Sequence, residues 1–331
     1  VRFSDGRASL AGNGIAIHAD CPGNSDSPFL APYESLQRIA SSCSPASEIV
    51  IAPRANGCLV QATGDGKWLL VADPVYDWSD PFEERPESPV FRLPVDEFLR
   101  AARATVFAVD KRASTTLSCE LIDVRDGEIS FVGSDGRRVA TSSAEVDQAV
   151  DDGQYLVPGG HFELLLAVAA KAHEDSGIQL ESSGKYLRAT FDDCEVFCPL
   201  GEGSYMSWRK LFDKERPAMS EVRSGTLSDS LRRASVCVSE NSHGVRLLLV
   251  DKAAISIEAK SLERGTSTTQ CPIENWGGDG DATINPKFLD EWLRCNESDE
   301  PVSFDLGTIN GSPSYFECDE RRYLLAKIAK D

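Results

Sequence analysis

Histidine is scarce in this sequence. None of its four, His18, His161, His173 and His243, has a neighbour at metal-ligand spacing. No GxGxxG, GxxxxGK, GxSxG or HExxH pattern occurs, so the dinucleotide fingerprint, the phosphate loop, the nucleophile elbow and the zinc-protease helix are all missing. The glycine-rich pieces GDGK and WGGDGD lack phosphate-cradle spacing and read as loops. No apolar run approaches the roughly 20 residues of a membrane span. No basic-then-apolar leader is visible, which makes a cytoplasmic location the expectation. The ten cysteines include no CxxC. Cys194 and Cys198, in CEVFC, would share one face of a strand, and two ligands without a second pair read better as reduced core thiols. The expectation is therefore a non-catalytic chain with no cofactor and no metal.

What is present is a 331-residue chain, 41% apolar and 26% charged, long enough for two or three domains with real cores. Its net charge of -19 argues against a protein that coats nucleic acid through overall basicity. A sum says nothing about where the positive residues sit, so one basic inner face remains compatible with it.

The stretch LSCELIDVRDGEISFVGSDGRRV, from Leu117 to Val139, reads as two strands joined at Asp126-Gly127. That dipeptide takes the positive φ values of a tight hairpin turn. The second strand alternates Ile129 and Phe131 with Glu128 and Ser130, then stops at Ser134-Asp135-Gly136 before Arg137 and Arg138. Such a corner is expected to leave backbone donors and two guanidinium groups available to a partner's chain.

The same grammar occurs three times: strands, a variable loop, a proline that opens an amphipathic helix, then further strands. The prolines are Pro32, Pro158 and Pro286, spaced 126 and 128 residues apart. Proline suits a helix start because its missing N-H would be unpaired there. The second and third copies carry a leading helix, in LPVDEFLRAARATVFAV and LSDSLRRASVCVSE, that the first lacks; Val1 falls inside the first hairpin strand, as if copy one lacked its start. The segments DPVYDWSDPFEERPESP and KERPAMSEVRSG separate the copies. Three domains follow, 1–75, 89–210 and 211–331, each complete copy with two helices and about eight strands in an α+β layout.

Basic residues recur on these helices: Arg38 in copy one, Arg100, Arg103 and Lys171 in copy two, and Arg232, Lys287 and Arg294 in copy three, with Lys111 and Arg112 after the leading helix of copy two. Each suits ordinary solvation. If the helices of all copies face one way, the charges join into a lining for phosphates that reads no sequence and weakens with salt. Glu34, Glu163 and Glu291 lie on nearby turns and dilute it.

The repeat plan together with SDGRRVAT, YLVPGGHFELL, LGEGSYMSWRKLF, LRRASVCVSENSHGVRLLLV and INPKFLDEWL resembles the bacterial DNA sliding clamps, the beta subunit of DNA polymerase III, over nearly the whole chain. The resemblance implies three similar domains in an arc, helices on the inner face and antiparallel sheets on the outer face. It also implies a head-to-tail homodimer closing around double-stranded DNA, which tethers DNA polymerase and does no chemistry. An alternative is a divergent paralogue that scaffolds repair or translesion factors with impaired ring closure. Polymerase and clamp-loader subunits would dock short peptides in a cleft, matched here to Leu117, Ser134, Gly136, Arg137, Arg138, Val139, Met206, Lys210, Leu211, Asn285, Phe288, Ser312 and Ile328. The dimer interface would use Ile39, Lys67, Trp68, Leu70, Val236 and Cys237. Met206 stands where the family usually has proline, Ser242 where a bulky apolar residue is common, and the chain ends AKIAKD in place of an apolar tail. Arg138→Ala is expected to weaken peptide binding without unfolding the protein.

Overall fold

A computed structural model describes residues 1–12, 15–23, 28–71, 88–146, 151–173, 175–216, 218–238, 244–307 and 312–328. Most of the first inter-copy segment, and Ser242, lie outside these. Strands β1 (Arg2–Ser4), β2 (Arg7–Gly12), β3 (Ile15–Asp20) and β4 (Phe29–Leu30) precede helix α1 (Tyr33–Ser42), and β5 (Ile49–Arg54), β6 (Gly57–Ala62) and β7 (Gly66–Val71) follow it. Strand β8 (Ser88–Pro94) enters α2 (Val95–Val106). Then come β9 (Cys119–Arg125), β10 (Glu128–Ser134), β11 (Arg138–Glu145), β12 (Gly153–Pro158), α3 (Gly159–Ala169), β13 (Gly177–Ser182), β14 (Tyr186–Phe191) and β15 (Cys194–Pro199). After a short α4 (Trp208–Phe212) the order repeats: β16 (Ser220–Arg223), α5 (Ser224–Ala234), β17 (Val245–Val250), β18 (Ala254–Ser261), β19 (Gly265–Pro272), β20 (Asp281–Ile284), α6 (Pro286–Leu293), β21 (Pro301–Asp305), β22 (Ser314–Cys318) and β23 (Arg321–Leu325).

Local chemistry repeats with the order. The first hairpin of each copy turns through residues at positive φ: Asp5-Gly6, Asp126-Gly127 and Asp251-Lys252. Pro32 and Pro158 sit one residue ahead of their helices with φ near -60°, while Pro286 is the first residue of α6 and Asn285 caps it, accepting from the Lys287 N-H at 3.0 Å.

By contact the chain falls into two compact units, 1–92 with 172–199, and 93–171 with 200–331. The first holds an eight-stranded antiparallel sheet in the order β4-β1-β2-β3-β15-β14-β13-β8, a three-stranded sheet β5-β6-β7, and α1. Its small core gathers Phe29, Ile39, Cys58 and Val60, with Phe3 stacked on Phe29 at 5.1 Å. Across the seam between β3 and β15, Glu195 accepts from Arg7 at 3.0 Å and meets Arg188 at 3.4 Å.

The second unit holds the matching sheet, β12-β9-β10-β11-β23-β22-β21-β16, and a four-stranded sheet β19-β18-β17-β20. Helix α2 packs on β10 and α3 through Phe98, whose ring lies 5.6 Å from Phe131 and 6.2 Å from Phe162. All three are fully buried, and each contributes about 1.5–3 kcal/mol of hydrophobic stabilisation. The approach is close enough to require Gly133, where a Cβ would come 2.2 Å from the Thr105 carbonyl oxygen. A second core stacks Trp292 on Tyr323 at 5.5 Å beneath α6.

Candidate functional site

The corner between β10 and β11 is held by its own side chains. Ser134 Oγ donates to the Arg138 carbonyl at 2.8 Å and accepts from the Gly136 N-H at 3.1 Å. Asp135 Oδ1 accepts from the N-H groups of Arg137 at 2.9 Å and Arg138 at 3.1 Å, and Gly136 takes φ 80°. The corner's backbone donors are thus used internally, contrary to the sequence expectation. Arg138 is also committed: it donates to Asp135 Oδ2 at 3.0 Å, to Glu291 Oε2 at 2.5 Å and to the Phe107 carbonyl at 2.9 Å, and its guanidinium lies 4.1 Å from the Phe288 ring centroid. With 8% of its side chain exposed, it ties β11 to α6 and the end of α2. Arg137 points no such way and stays exposed.

Beside this corner, within the second unit, opens a cleft of about 380 Å³. Its floor runs along the β11–β23 seam, where Val139 pairs with Leu324, and continues through Met206, Leu211 and Pro313. Helix α4 sets one wall. Trp208 and Phe212, four residues apart, are buried, so Lys210 and Leu211 face out. Asp123 on β9 anchors the helix, accepting from Trp208 Nε1 at 2.8 Å and pairing with Arg209.

The cleft collects Ser134, Gly136, Arg137, Val139, Met206, Lys210, Leu211 and Ser312 as expected from the sequence, with Arg138 at its border. Leu117 is not in its lining and packs with Met206 against the core beneath. Asn285 is spent on capping α6 and borders a separate depression with Arg232 and Val236, and Phe288 lies under Arg138. Ile328 donates its N-H to the Thr283 carbonyl at 2.7 Å and is not in the lining. Leu117, Asn285, Phe288 and Ile328 thus lie outside this lining. Lys214, Arg216, Asp305, Leu324 and Ala326 also line the cleft and were not anticipated. Lys214 and Arg216 lie just past the motif LGEGSYMSWRKLF, the one signal that could have found them.

All nine helix-associated cations proposed for phosphate are exposed, but their surroundings differ. Lys111 pairs with Glu163, and Arg100 lies 3.8 Å from Glu320. Arg232 and Arg294 share Asp290, and Lys287 lies 3.9 Å from Glu291. These three cations of α5 and α6 are therefore largely neutralised by carboxylates of the same two helices. Among the described residues, Arg38, Arg103, Arg112 and Lys171 make no ion pair.

Among the described residues each of the four sheets ends on two strands with a single neighbour, and β7 and β19 are two of these edges. On β7, Trp68 and Leu70 pack half-buried against the core of the first unit, Lys67 is exposed, and Leu69 and Val71 stand 70% and 77% exposed on the other face. Ile39 is buried inside that core, so it offers the edge no free surface, a correction to its assignment. Near β19, Val236 is 71% exposed and Cys237 packs on the core. Ile273 donates to the Ala253 carbonyl at 3.0 Å, which fixes the alternation along β18 and β19. It follows that Thr266, Thr268 and Gln270 turn their N-H groups to the open edge, where Pro272 has none to turn.

Deep between α2 and β9, Glu120 is fully buried. Burial pushes its carboxyl up to about 8, outweighing the Thr105 hydroxyl, which lowers it. Thr105 Oγ1 has one proton and two oxygen neighbours, the Ala102 carbonyl at 3.0 Å and Glu120 Oε1 at 2.5 Å. A protonated Glu120 donating to Thr105, which donates to Ala102, satisfies both contacts.

The ten cysteines are free thiols; Cys194 and Cys198 share β15, and burial pushes the Cys198 thiol up to about 12. Among the described residues no helix is long and apolar enough to cross a membrane.

No protein-family model matches the sequence. It is 22% identical to a protein named beta sliding clamp from Chlamydia pneumoniae, over 65% of this chain and 58% of that one, and 23% identical to one of the same name from Proteus mirabilis, over 67% and 59%. The chain thus matches less than two thirds of the length of these curated relatives. In three dimensions it covers more. The DNA polymerase III subunit beta from Pseudomonas aeruginosa superposes with a TM-score of 0.86 at 20% identity, over 98% of this chain and 89% of that one. The DNA polymerase III beta subunit from Thermotoga maritima gives 0.88 at 15% identity, over 100% and 90%. The chain has the α+β fold of the bacterial beta sliding clamps, and its sequence is similar to theirs at 22–23% identity over the matched part.

Proposed function

We propose that this chain is a non-catalytic DNA sliding clamp of the cytoplasm. Two copies close head to tail into a ring around double-stranded DNA, bind it without reading sequence, and tether DNA polymerase. Polymerase and clamp-loader subunits dock short peptides in the cleft beside β11 and β23. Segments 1–75, 89–210 and 211–331 act as its three domains.

The observation that carries this reading is a rule in the sheets. The first four strands of one copy continue into the last three of the next, β3 beside β15 and β11 beside β23. Copy three contributes β19 at the position of β3 and β11, and copy one contributes β7 at the position of β15 and β23; among the described residues both lack a neighbour on their outer side. Applied between two chains, the rule joins β19 of one to β7 of the other. Unpaired edges of this kind are templates for strand pairing. Two such joins per dimer leave neither edge open.

The test is gel filtration with nicked circular plasmid at a salt concentration that screens phosphate contacts. A clamp co-elutes with the circle and is lost when the plasmid is linearised. Equal elution with circular and linear DNA contradicts a topological tether.

A further inference from the structure

The cleft carries charge of one sign in a protein of the other. Among the described residues, Arg137, Lys210, Lys214 and Arg216 surround it against a single carboxylate, Asp305, while the chain as a whole carries -19. Arg137, Lys210 and Lys214 are exposed and, among the described residues, make no ion pair. Arg216 is held in place, its guanidinium 3.7 Å from the Tyr315 ring centroid and donating to the Lys214 carbonyl at 2.7 Å. Asp305 Oδ1 already accepts from the Gly307 N-H at 2.7 Å. The floor between these groups is apolar and partly open, with Leu211 45% exposed.

Resting on the docking role proposed above, we propose that this cleft selects peptides whose apolar anchors are flanked by aspartate or glutamate. The anchors take the apolar floor, and the flanking carboxylates meet Arg137, Lys210 and Lys214, which among the described residues have no ion pair to give up. A neutral flank leaves those cations in water at no gain, and a basic flank is repelled. Steering by the whole molecule opposes an acidic ligand, so the discrimination must be local, within about a Debye length of the rim. A strand of nucleic acid would also meet cations, but the floor offers aliphatic side chains and no aromatic ring for base stacking.

The experiment uses the full chain and short fluorescein-labelled probe peptides with identical leucine and phenylalanine anchors, flanked by glutamate, glutamine or lysine. Anisotropy should give the glutamate probe about tenfold tighter binding than the glutamine probe, about 1.4 kcal/mol, with the lysine probe weakest. The gap should narrow as salt rises, and Lys210→Glu with Lys214→Glu should bring the glutamate and glutamine probes to parity. Equal affinity for these two probes in the unaltered protein overturns the acidic preference and leaves peptide docking intact. Displacement of the glutamate probe by a single-stranded oligonucleotide that binds more tightly also overturns it. If none of the three probes binds, the docking role itself fails.

Discussion

Arg138 Nη1 donates to Glu291 Oε2 at 2.5 Å, joining strand β11 to helix α6 across 153 residues of sequence. The pair is mostly dehydrated, with 8% and 29% of the two side chains exposed. Removing one partner of a buried pair leaves an uncompensated charge and costs more than the pair itself contributes. Arg138→Ala is therefore expected to lower stability by about 2–4 kcal/mol, read as a drop in urea midpoint at unchanged slope. Arg138→Lys should recover only part, because a lysine cannot reach Asp135, Glu291 and the Phe107 carbonyl at once. An unchanged midpoint for the alanine variant would show that the guanidinium is not structural.

Glu120 makes stability depend on pH. An ordinary glutamate in the unfolded chain releases its proton near 4.5, whereas the folded protein holds it to about 8. Between those values the native state binds more protons than the unfolded one, so stability falls as pH rises through that window and levels off above it. Glu120→Gln supplies an N-H to Thr105 without a charge to bury. It should flatten this dependence and raise stability at pH 7 by up to about 3 kcal/mol, at 1.36 kcal/mol per pH unit. Denaturation series at pH 5 and pH 8 check it: the difference between them should shrink in the variant, and a parallel shift at both would assign the effect elsewhere.

The ion pairs on the helices separate cations free to meet phosphate from cations already neutralised. Replacing Arg103, Arg112 and Lys171 by alanine should weaken duplex binding and reduce the slope of log affinity against log salt by about 2–3, at roughly 0.9 per phosphate contact. Replacing Arg232, Lys287 and Arg294, which sit among Asp229, Asp290 and Glu291, should change the slope much less. Titration of a labelled duplex at several salt concentrations distinguishes the two triples; equal effects would mean that the carboxylates are displaced on binding.

Much of the fold was legible because its signals are local. Asp126-Gly127 specifies a turn by backbone sterics alone, and the three prolines mark helix starts whatever surrounds them. The spacing of those prolines also exposed the repeat that the element order displays. The fate of a side chain was less legible where it depends on a distant segment. Arg137 and Arg138 are adjacent and chemically alike, yet one is free and the other is held by Glu291, a choice made only when α6 packs beside β11. Likewise Arg232 is neutralised by Asp290, 58 residues on, whereas Arg294 meets the same carboxylate at the i,i+4 spacing of its own helix. Leu324 and Ala326 reached the cleft through strand pairing across the β11–β23 seam, which no window of sequence contains.

The pairing of β7 with β19 between chains is the step on which a ring depends, and the sedimentation mass of the unaltered chain and of Thr268→Pro tests it most directly. The Thr268 N-H faces the open edge, so proline there leaves the β18–β19 ladder intact while removing a donor from the interface. The account predicts twice the mass of one chain for the unaltered protein and the mass of one chain for the variant, with the same circular dichroism. A single-chain mass for the unaltered protein at micromolar concentration, or a variant that still sediments at twice the chain mass, would contradict it.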